Sequence, residues 1–521
     1  MPFNIANILI SLTTVAEISV LCAAGFILFR KWGATFAEGA AYSLITTMML
    51  LSFFMQLAFL TGFPDFSLRA EILTCALAAA VICKYRHHLR QARQILLTFL
   101  SQYPLVTVAI VIGGVFMIYL AALPSENIQT ISLYQVQTFH QQGTFFAEAS
   151  SAQNGQPLRP VNLSSLSLFL LQRNASHCSG IFSMMAWIAI AFATYALARR
   201  YAWPPAAFTV TMITISFPRL VHLAVTGSQE IIAASVAVFC LLAIYRAVEQ
   251  PDSKDLLLFI LGLFFGISGD DLGFLFPVIL TMLACVLLFR RHGALAWWKL
   301  IIGCRWYVLA LVVLPLFIFS QCWLFGYNQW MYGQWIGLTC EGVFTFNADG
   351  IIGALANMVR YFIASAHFML PAERLCQYLF GFSPTESLMG FYQLAINPYF
   401  GNQGAASVFA LAWTPDARLS WFGPFGFLFV LPALLYALIR GPRRLKAIAI
   451  ALAGYFYMIA LIPAWRPENV RFFTLFFACG GYFSAFFLPP WRLTRIRKSV
   501  LQIACLLLLG YACWSNVPFI H

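Results

Sequence analysis

The sequence predicts an all-α integral membrane protein of about fourteen transmembrane helices. Three observations predict it. Of 521 residues, 61% are hydrophobic and only 9% are charged, whereas a soluble domain carries about 25% charged residues. Apolar runs long enough to cross a bilayer, about 18 residues or more, recur from end to end. The runs are continuous rather than alternating. Lipid offers the backbone no hydrogen-bond partners, so only helices or closed barrels cross it, and continuity selects helices.

The expected spans lie near 7–30, 38–62, 69–84, 102–122, 178–197, 204–220, 228–246, 254–268, 273–290, 305–326, 422–440, 445–463, 470–488 and 499–514. The first is a span rather than a cleavable signal, because no basic segment precedes it and the run is long enough to cross. The pair at 254–290 is one apolar stretch split by "GISGDDLG". The chain divides into an N-terminal transmembrane extension (1–100), a transmembrane core (101–326) that includes a first polar loop (123–177), a second polar loop (327–421), and C-terminal helices (422–521). The second loop holds amphipathic pieces such as "NMVRYFIASAHFML" (357–370), suited to lie in the interface plane.

Net charge is +13. The Lys and Arg sit in short loops beside apolar runs, which points to membrane topology rather than to nucleic acid. The heaviest loads are in "KYRHHLRQAR" (84–93), "RRHGALAWWK" (290–299), "RGPRRLK" (440–446) and "RLTRIRK" (492–498), with Arg30-Lys31 and Arg199-Arg200 beside them. With fourteen spans all six fall on one side, expected to be the cytoplasm, which places both termini and both polar loops outside. The thirteen Cys show no CxxC or Cys/His metal spacing, and most lie inside apolar runs as small hydrophobes. Cys340 and Cys376 share the second loop, where a disulfide is open to them.

Charged groups then gather at the outer boundary. Glu126 and Asn127 follow the fourth span; Arg219 and His222 lie in an outer turn; Glu230 opens the seventh span; Asp270 and Asp271 sit in "SGDD"; Arg466, Glu468 and Arg471 follow the twelfth span. Each has a plain structural alternative: Glu230 complements a helix dipole, Asp270 and Asp271 cap a helix, the arginines snorkel to headgroups, and Glu126 belongs to an N-cap region. Glu17, midway along the first span, calls for a polar partner.

These features, in this order, resemble the GT-C superfamily of polytopic glycosyltransferases, whose donors are polyprenyl-phosphate-linked sugars, and most closely its bacterial branch. The resemblance covers about 120–473. "FHQQG" (139–143) matches the family's aromatic-x-Gln-x-Gly ending. The usual sixteen-residue gap back from it lands on Asn127, one residue from Glu126. "VTGSQEIIAASVAVFCLLA" resembles the span that opens on an acidic residue, here Glu230. "LGLFFGISGDDLGFLFPVIL" resembles the Gly-rich pair that follows. "DARLSWFGPFGFLFVLPALL" (416–435) with "RPENVRFF" (466–473) resembles the last large loop and its Arg-bearing turn. The family's Tyr-His pair is absent, with Ile131 and Ser132 in its place, and Asp271 stands where many relatives carry Lys.

The resemblance implies inverting transfer at the outer face. Glu126 would be the general base for an acceptor hydroxyl; the acceptor would be a glycan, lipid or protein. Arg466 and Arg471, then Arg360 and Arg219, would hold the donor phosphate, for which a guanidinium fork is suited. Asn127, Glu230, Asp270 and Asp271 would position sugar or acceptor, and the acidic pair leaves room for a divalent cation. Trp330, Trp335 and Trp413 offer sugar-stacking faces, although aromatics also belt membrane proteins. Two other readings stand beside it. A GT-C-like subunit without catalysis, scaffolding a complex or binding lipid, accommodates the shifted acid and the absent Tyr-His. A lipid or solute transporter predicts inverted repeats and broken helices with polar sites near the midplane; no convincing internal repeat is found, and the charged residues collect at one boundary instead.

Overall fold

The computed structural model describes residues 5–102, parts of 111–117, 131–146, 157–250, 252–266, 275–293, 306–335, 345–366, 370–411, 422–487 and 495–515. It is about 82% helical with no strands among these residues. The helices are α1 (Ile5–Lys31), α2 (Phe36–Thr61), α3 (Asp65–Lys84), α4 (Arg86–Gln102), α5 (Ile131–Gln142), α6 (Ser164–Gln172), α7 (Ile181–Ala198), α8 (Pro204–Ile215), α9 (Pro218–Val225), α10 (Gln229–Glu249), α11 (Ser253–Gly266), α12 (Leu275–His292), α13 (Trp306–Phe319), α14 (Cys322–Tyr332), α15 (Gly350–Ser365), α16 (Leu370–Phe380), α17 (Pro384–Phe391), α18 (Leu431–Arg440), α19 (Arg443–Leu461), α20 (Phe473–Gly480), α21 (Ser484–Phe487) and α22 (Arg495–Ser515).

Seven described helices are long and apolar enough to cross a membrane: α1, α2, α3, α7, α10, α12 and α19. The bent pair α8–α9, at 67°, makes an eighth if it is one span. The count of fourteen is therefore not reached by single helices. The expected span 102–122 lies almost wholly outside the described residues. Most of the others are short or broken, for local reasons, while 499–514 falls in the continuous α22. Pro218 lacks an N–H and restricts Phe217, so α8 ends and α9 begins at an angle. The expected span 305–326 breaks at Gln321, which is left-handed (φ 58°). The expected span 470–488 alternates α with 3₁₀ turns at Pro467–Phe472 and Gly481–Phe483.

Helix α10 is the centre of the bundle, with Ile231–Ile244 buried throughout. It packs on α7, α11, α12 and α20, and α2 packs on α7 and α10. The first hundred residues thus contribute α2 to the core. Gly262 fits only as glycine, because a Cβ there would lie 2.7 Å from Cys240 Sγ and 2.9 Å from the Phe239 ring.

The basic stretches gather at one end. Thr35 and Glu38 form a capping box at the start of α2, with Thr35 N donating to Glu38 Oε2 at 2.9 Å. Arg200 and Arg246 each donate to Glu38 at 2.9 Å, Arg246 also meets Asp255 at 3.0 Å, and Arg200 meets Glu249 at 3.1 Å. Arg444 lies 3.7 Å from Glu249, and His292 Nε2 lies 3.2 Å from Val248 O. Lys31 donates to Tyr85 Oη at 2.9 Å. The ends of α1, α3, α7, α10, α12 and α19 that carry these residues therefore share one level, the basic end. Helix directions put Thr61, Glu230 and Leu461 at the opposite end.

Candidate functional site

The turn between α19 and α20 is built into the second polar loop at the end opposite the basic one. Leucine and alanine carry α19 to Leu461, where Pro463 stops it. The extended residues 462–466 then lie between two loop segments. On one side Asn347 N donates to Ile462 O (3.0 Å) and Ala464 N donates to Thr345 O (2.8 Å). On the other, Trp465 N donates to Gly404 O (2.8 Å) and Ala406 N donates to Trp465 O (3.1 Å). Gly404 is left-handed (φ 70°), and a Cβ on it would lie 2.6 Å from Gly353 O. Asp349 accepts from Gly404 N. Asn469 donates to Tyr361 Oη at 2.9 Å, joining the 3₁₀ turn Pro467–Phe472 to α15.

Arg466 and Arg471 flank this turn; both are partly exposed, and Glu468 between them is exposed. Arg471 also lies over the Phe472 ring at 4.8 Å. Arg360 does something different. It is 1% exposed, and it donates to Tyr392 Oη (3.1 Å), Asn357 Oδ1 (2.9 Å), Gln403 O (2.6 Å) and Gly401 O (2.7 Å). Two hydrogen bonds of its fork thus hold the 401–404 turn on α15, and the other two tie it to Tyr392 and to Asn357 of its own helix. The expected amphipathic piece 357–370 is the second half of α15 and its exit. One face of α15 is buried through Asn357, Arg360, Tyr361 and Ala364, while Ile351, Ile352, Leu355 and Phe362 are exposed.

Arg219 and Glu230 form one ion pair, at 2.9 Å, between the first turns of α9 and α10. Ser228 caps α10 through Glu230 N. The Tyr245 and Tyr482 hydroxyls, 3.2 Å apart, fix the register of α10 against the α20 segment. Glu230 and Arg471 both lie away from that contact towards the same end. The structure therefore brings Arg219 and Glu230 together and puts Arg466 and Arg471 at their end of the bundle. Glu126, Asn127, Asp270, Asp271, Trp413 and Cys340 lie outside the described residues. Cys376 is a free thiol. Trp330 and Trp335 are exposed. In "FHQQG", Phe139 is buried against Phe145, with rings 4.9 Å apart, and Gly143 (φ 68°) ends α5.

Of two further polar constellations, the sequence reading anticipated one in part and missed the other. Glu17 does find a partner: Arg173, at the end of α6, lies 2.7 Å from Glu17 and also bonds Glu71 of α3. Two carboxylates from separate spans thus share one guanidinium. The second is a fully buried amide knot. Asn162 Nδ2 lies within hydrogen-bond distance of Phe264 O (3.0 Å), Phe265 O (3.3 Å) and Phe319 O (2.9 Å). Its Oδ1 accepts from Gln56 (3.0 Å) and Gln321 (2.6 Å), and its carbonyl accepts from Ser52 (2.8 Å) and Ser165 (2.7 Å). Gln321 Oε1 accepts from Val161 N at 2.9 Å. The knot ties α2, the start of α6, α11 and α13 at one point. Gln56 and Gln321 inside apolar runs were its only signal, under the same rule that singled out Glu17.

Among the described residues, no group of three His, Cys, Asp or Glu side chains is arranged to hold a metal ion. No protein-family model, no curated protein and no solved structure matches the chain.

Proposed function

We propose that the chain is a GT-C-like glycosyltransferase with about fourteen spans in a bacterial inner (cytoplasmic) membrane. In this reading the basic end faces the cytoplasm, and both termini and both polar loops are periplasmic. It moves a sugar from a polyprenyl-phosphate donor to a glycan, lipid or protein acceptor. The acceptor oxygen bonds the anomeric carbon from the face opposite the phosphate. The carbon–oxygen bond to phosphate breaks, the phosphate leaves with the electron pair, and Glu126 takes the acceptor's proton. The anomeric centre inverts.

The observation that carries this reading is the turn bearing Arg466 and Arg471. It is hydrogen-bonded into the second polar loop, at the end opposite the basic one. A partly exposed guanidinium pair on a pinned turn suits a phosphate leaving group. Arg219, paired with Glu230, serves in this reading to orient that carboxylate towards sugar hydroxyls. Arg360 keeps the loop in place. Asn127, Asp270 and Asp271 complete the positioning set, with the acidic pair available to a divalent cation. A second reading, a GT-C-like scaffold without catalysis, is favoured by the protein partners that occupy Arg219 and Arg360. A transporter is the third; the Glu17–Arg173–Glu71 cluster inside the spans and the bent pair α8–α9 favour it, and the charged groups gathered at the bundle's ends speak against it.

The test is transfer from a polyprenyl-phosphate sugar by purified protein. Glu126→Gln is expected to lower transfer by about 10²–10⁴-fold, the usual contribution of a general base, with donor binding kept. Asn127→Ala is expected to do less. Transfer undiminished by Glu126→Gln removes the base from the mechanism. Activity that appears only with Asn127→Asp identifies a lost acid and establishes the scaffold.

A further inference from the structure

We propose that α4, with the Lys31–Tyr85–Lys84 corner beside it, is an interfacial helix that docks on anionic phospholipid headgroups at the basic end of the bundle. Helix α4 starts one residue after α3, a helix apolar enough to span, so it begins at the membrane boundary. Its main packing is against α1. Successive residues turn by about 100°, which puts Leu89, Ala92, Ile95 and Leu96 on one face and Arg86, Arg90 and Arg93 along its edge; Leu97 falls among the arginines and His88 among the apolar residues. Leu89 and Ala92 are half-buried, while Ile95 and Leu96 are 46% and 48% exposed, so the second half of that apolar face stays open. A helix with such faces lies in the plane of a bilayer surface.

The charge is all of one sign. No carboxylate occurs between Glu71 and Glu126. Among the described residues, none lies within ion-pair distance of Arg86, Arg90 or Arg93. This differs from Arg200, Arg246 and Arg444 at the same end, which all have acidic partners. At the corner, Lys31 Nζ sits 4.5 Å and Lys84 Nζ 5.6 Å from the Tyr85 ring centre. Burial, then His87, Arg30 and Lys31, lower the His88 pKa below the usual imidazole range and so favour its neutral form. Loop charge needed only for topology would require no amphipathic helix. Three arginines along the edge of a partly open apolar face at the membrane boundary fit a surface that offers phosphate above and hydrocarbon below. The inference is independent of the glycosyltransferase reading.

The experiment is a native mass-spectrometric lipid titration of the full-length protein in detergent, with phosphatidylglycerol and phosphatidylcholine. Wild type is expected to prefer phosphatidylglycerol. Each arginine near an anionic surface contributes roughly fivefold, so Arg86→Gln/Arg90→Gln/Arg93→Gln is expected to cut that preference by about 10- to 100-fold. The triple lysine variant at these positions keeps it within about fivefold. An unchanged thermal midpoint checks that the glutamine variant is folded. Equal binding of the two lipids by wild type, or an undiminished preference in the folded glutamine variant, overturns the proposal. Displacement by glycerol phosphate as readily as by the lipid indicates a free-anion site and overturns it too. Loss of an oligomer in the variant, with the lipid preference intact, assigns the face to a second copy instead.

Discussion

Replacing Asn162 with alanine removes the centre of the buried amide knot. The side chain faces three carbonyls, on Phe264, Phe265 and Phe319, and accepts from Gln56 and Gln321. The two glutamine donors keep other acceptors: Ser52 Oγ for Gln56, and Gln56 Oε1 and Ile318 O for Gln321. The three carbonyls fare worse. They end α11 and α13, where helix carbonyls have no partner of their own. Two magnitudes compete. A buried acceptor left unsatisfied costs about 1–3 kcal/mol. Hydrogen bonds between membrane helices average only about 0.6 kcal/mol, because the unfolded chain in lipid also finds partners. Five contacts at the smaller figure give about 3 kcal/mol, and three orphaned carbonyls at the lower bound of the larger give the same. Equilibrium unfolding in mixed micelles should therefore place Asn162→Ala about 3 kcal/mol below wild type, and Ser165→Ala, which loses one hydroxyl, within about 1 kcal/mol. A loss under about 1 kcal/mol for Asn162→Ala would refute the idea that the knot holds α11 and α13 to α2.

Gly404→Ala forces a side chain onto a left-handed residue and drives its Cβ against the backbone of Gly353. The strain alone costs about 1–3 kcal/mol. Limited proteolysis should cut within 345–411 faster while the helical core stays intact, and equal cutting rates would show that the seam does not hold the loop. Arg173→Gln leaves Glu17 and Glu71 facing each other without a cation. It should cost about 3–5 kcal/mol, as removal of one member of a buried ion pair does. Adding Glu17→Gln should return part of that loss; a double variant less stable than Arg173→Gln contradicts the shared-guanidinium account.

The membrane class, and the shared end of several basic stretches, were legible in the sequence because both depend on local composition. An apolar run long enough to cross needs no partner to be recognised, and Arg30-Lys31, Arg199-Arg200 and 440–446 do share one end of the bundle. Helix breaks were half legible. Pro218 and Pro467 announce theirs, but Gln321 turns left-handed only because Asn162, Gln56 and Val161 hold its amide. The candidate site divides in the same way. Glu230 was visible as a charged residue opening a span and Arg219 as one in an outer turn, yet nothing in the sequence said they would bind one another. Arg360 looks in sequence like any cation near a membrane surface. Only the fold brings Tyr392, Gln403 and Gly401, from 32 to 43 residues away, onto its guanidinium. Glu17 asked for a partner, and the answer was an arginine more than 150 residues later in the chain. Burial depth and charge can be read from a window of residues, because the bilayer imposes them one helix at a time. Which polar groups satisfy one another depends on how helices distant in sequence pack, and the tertiary structure alone decided that.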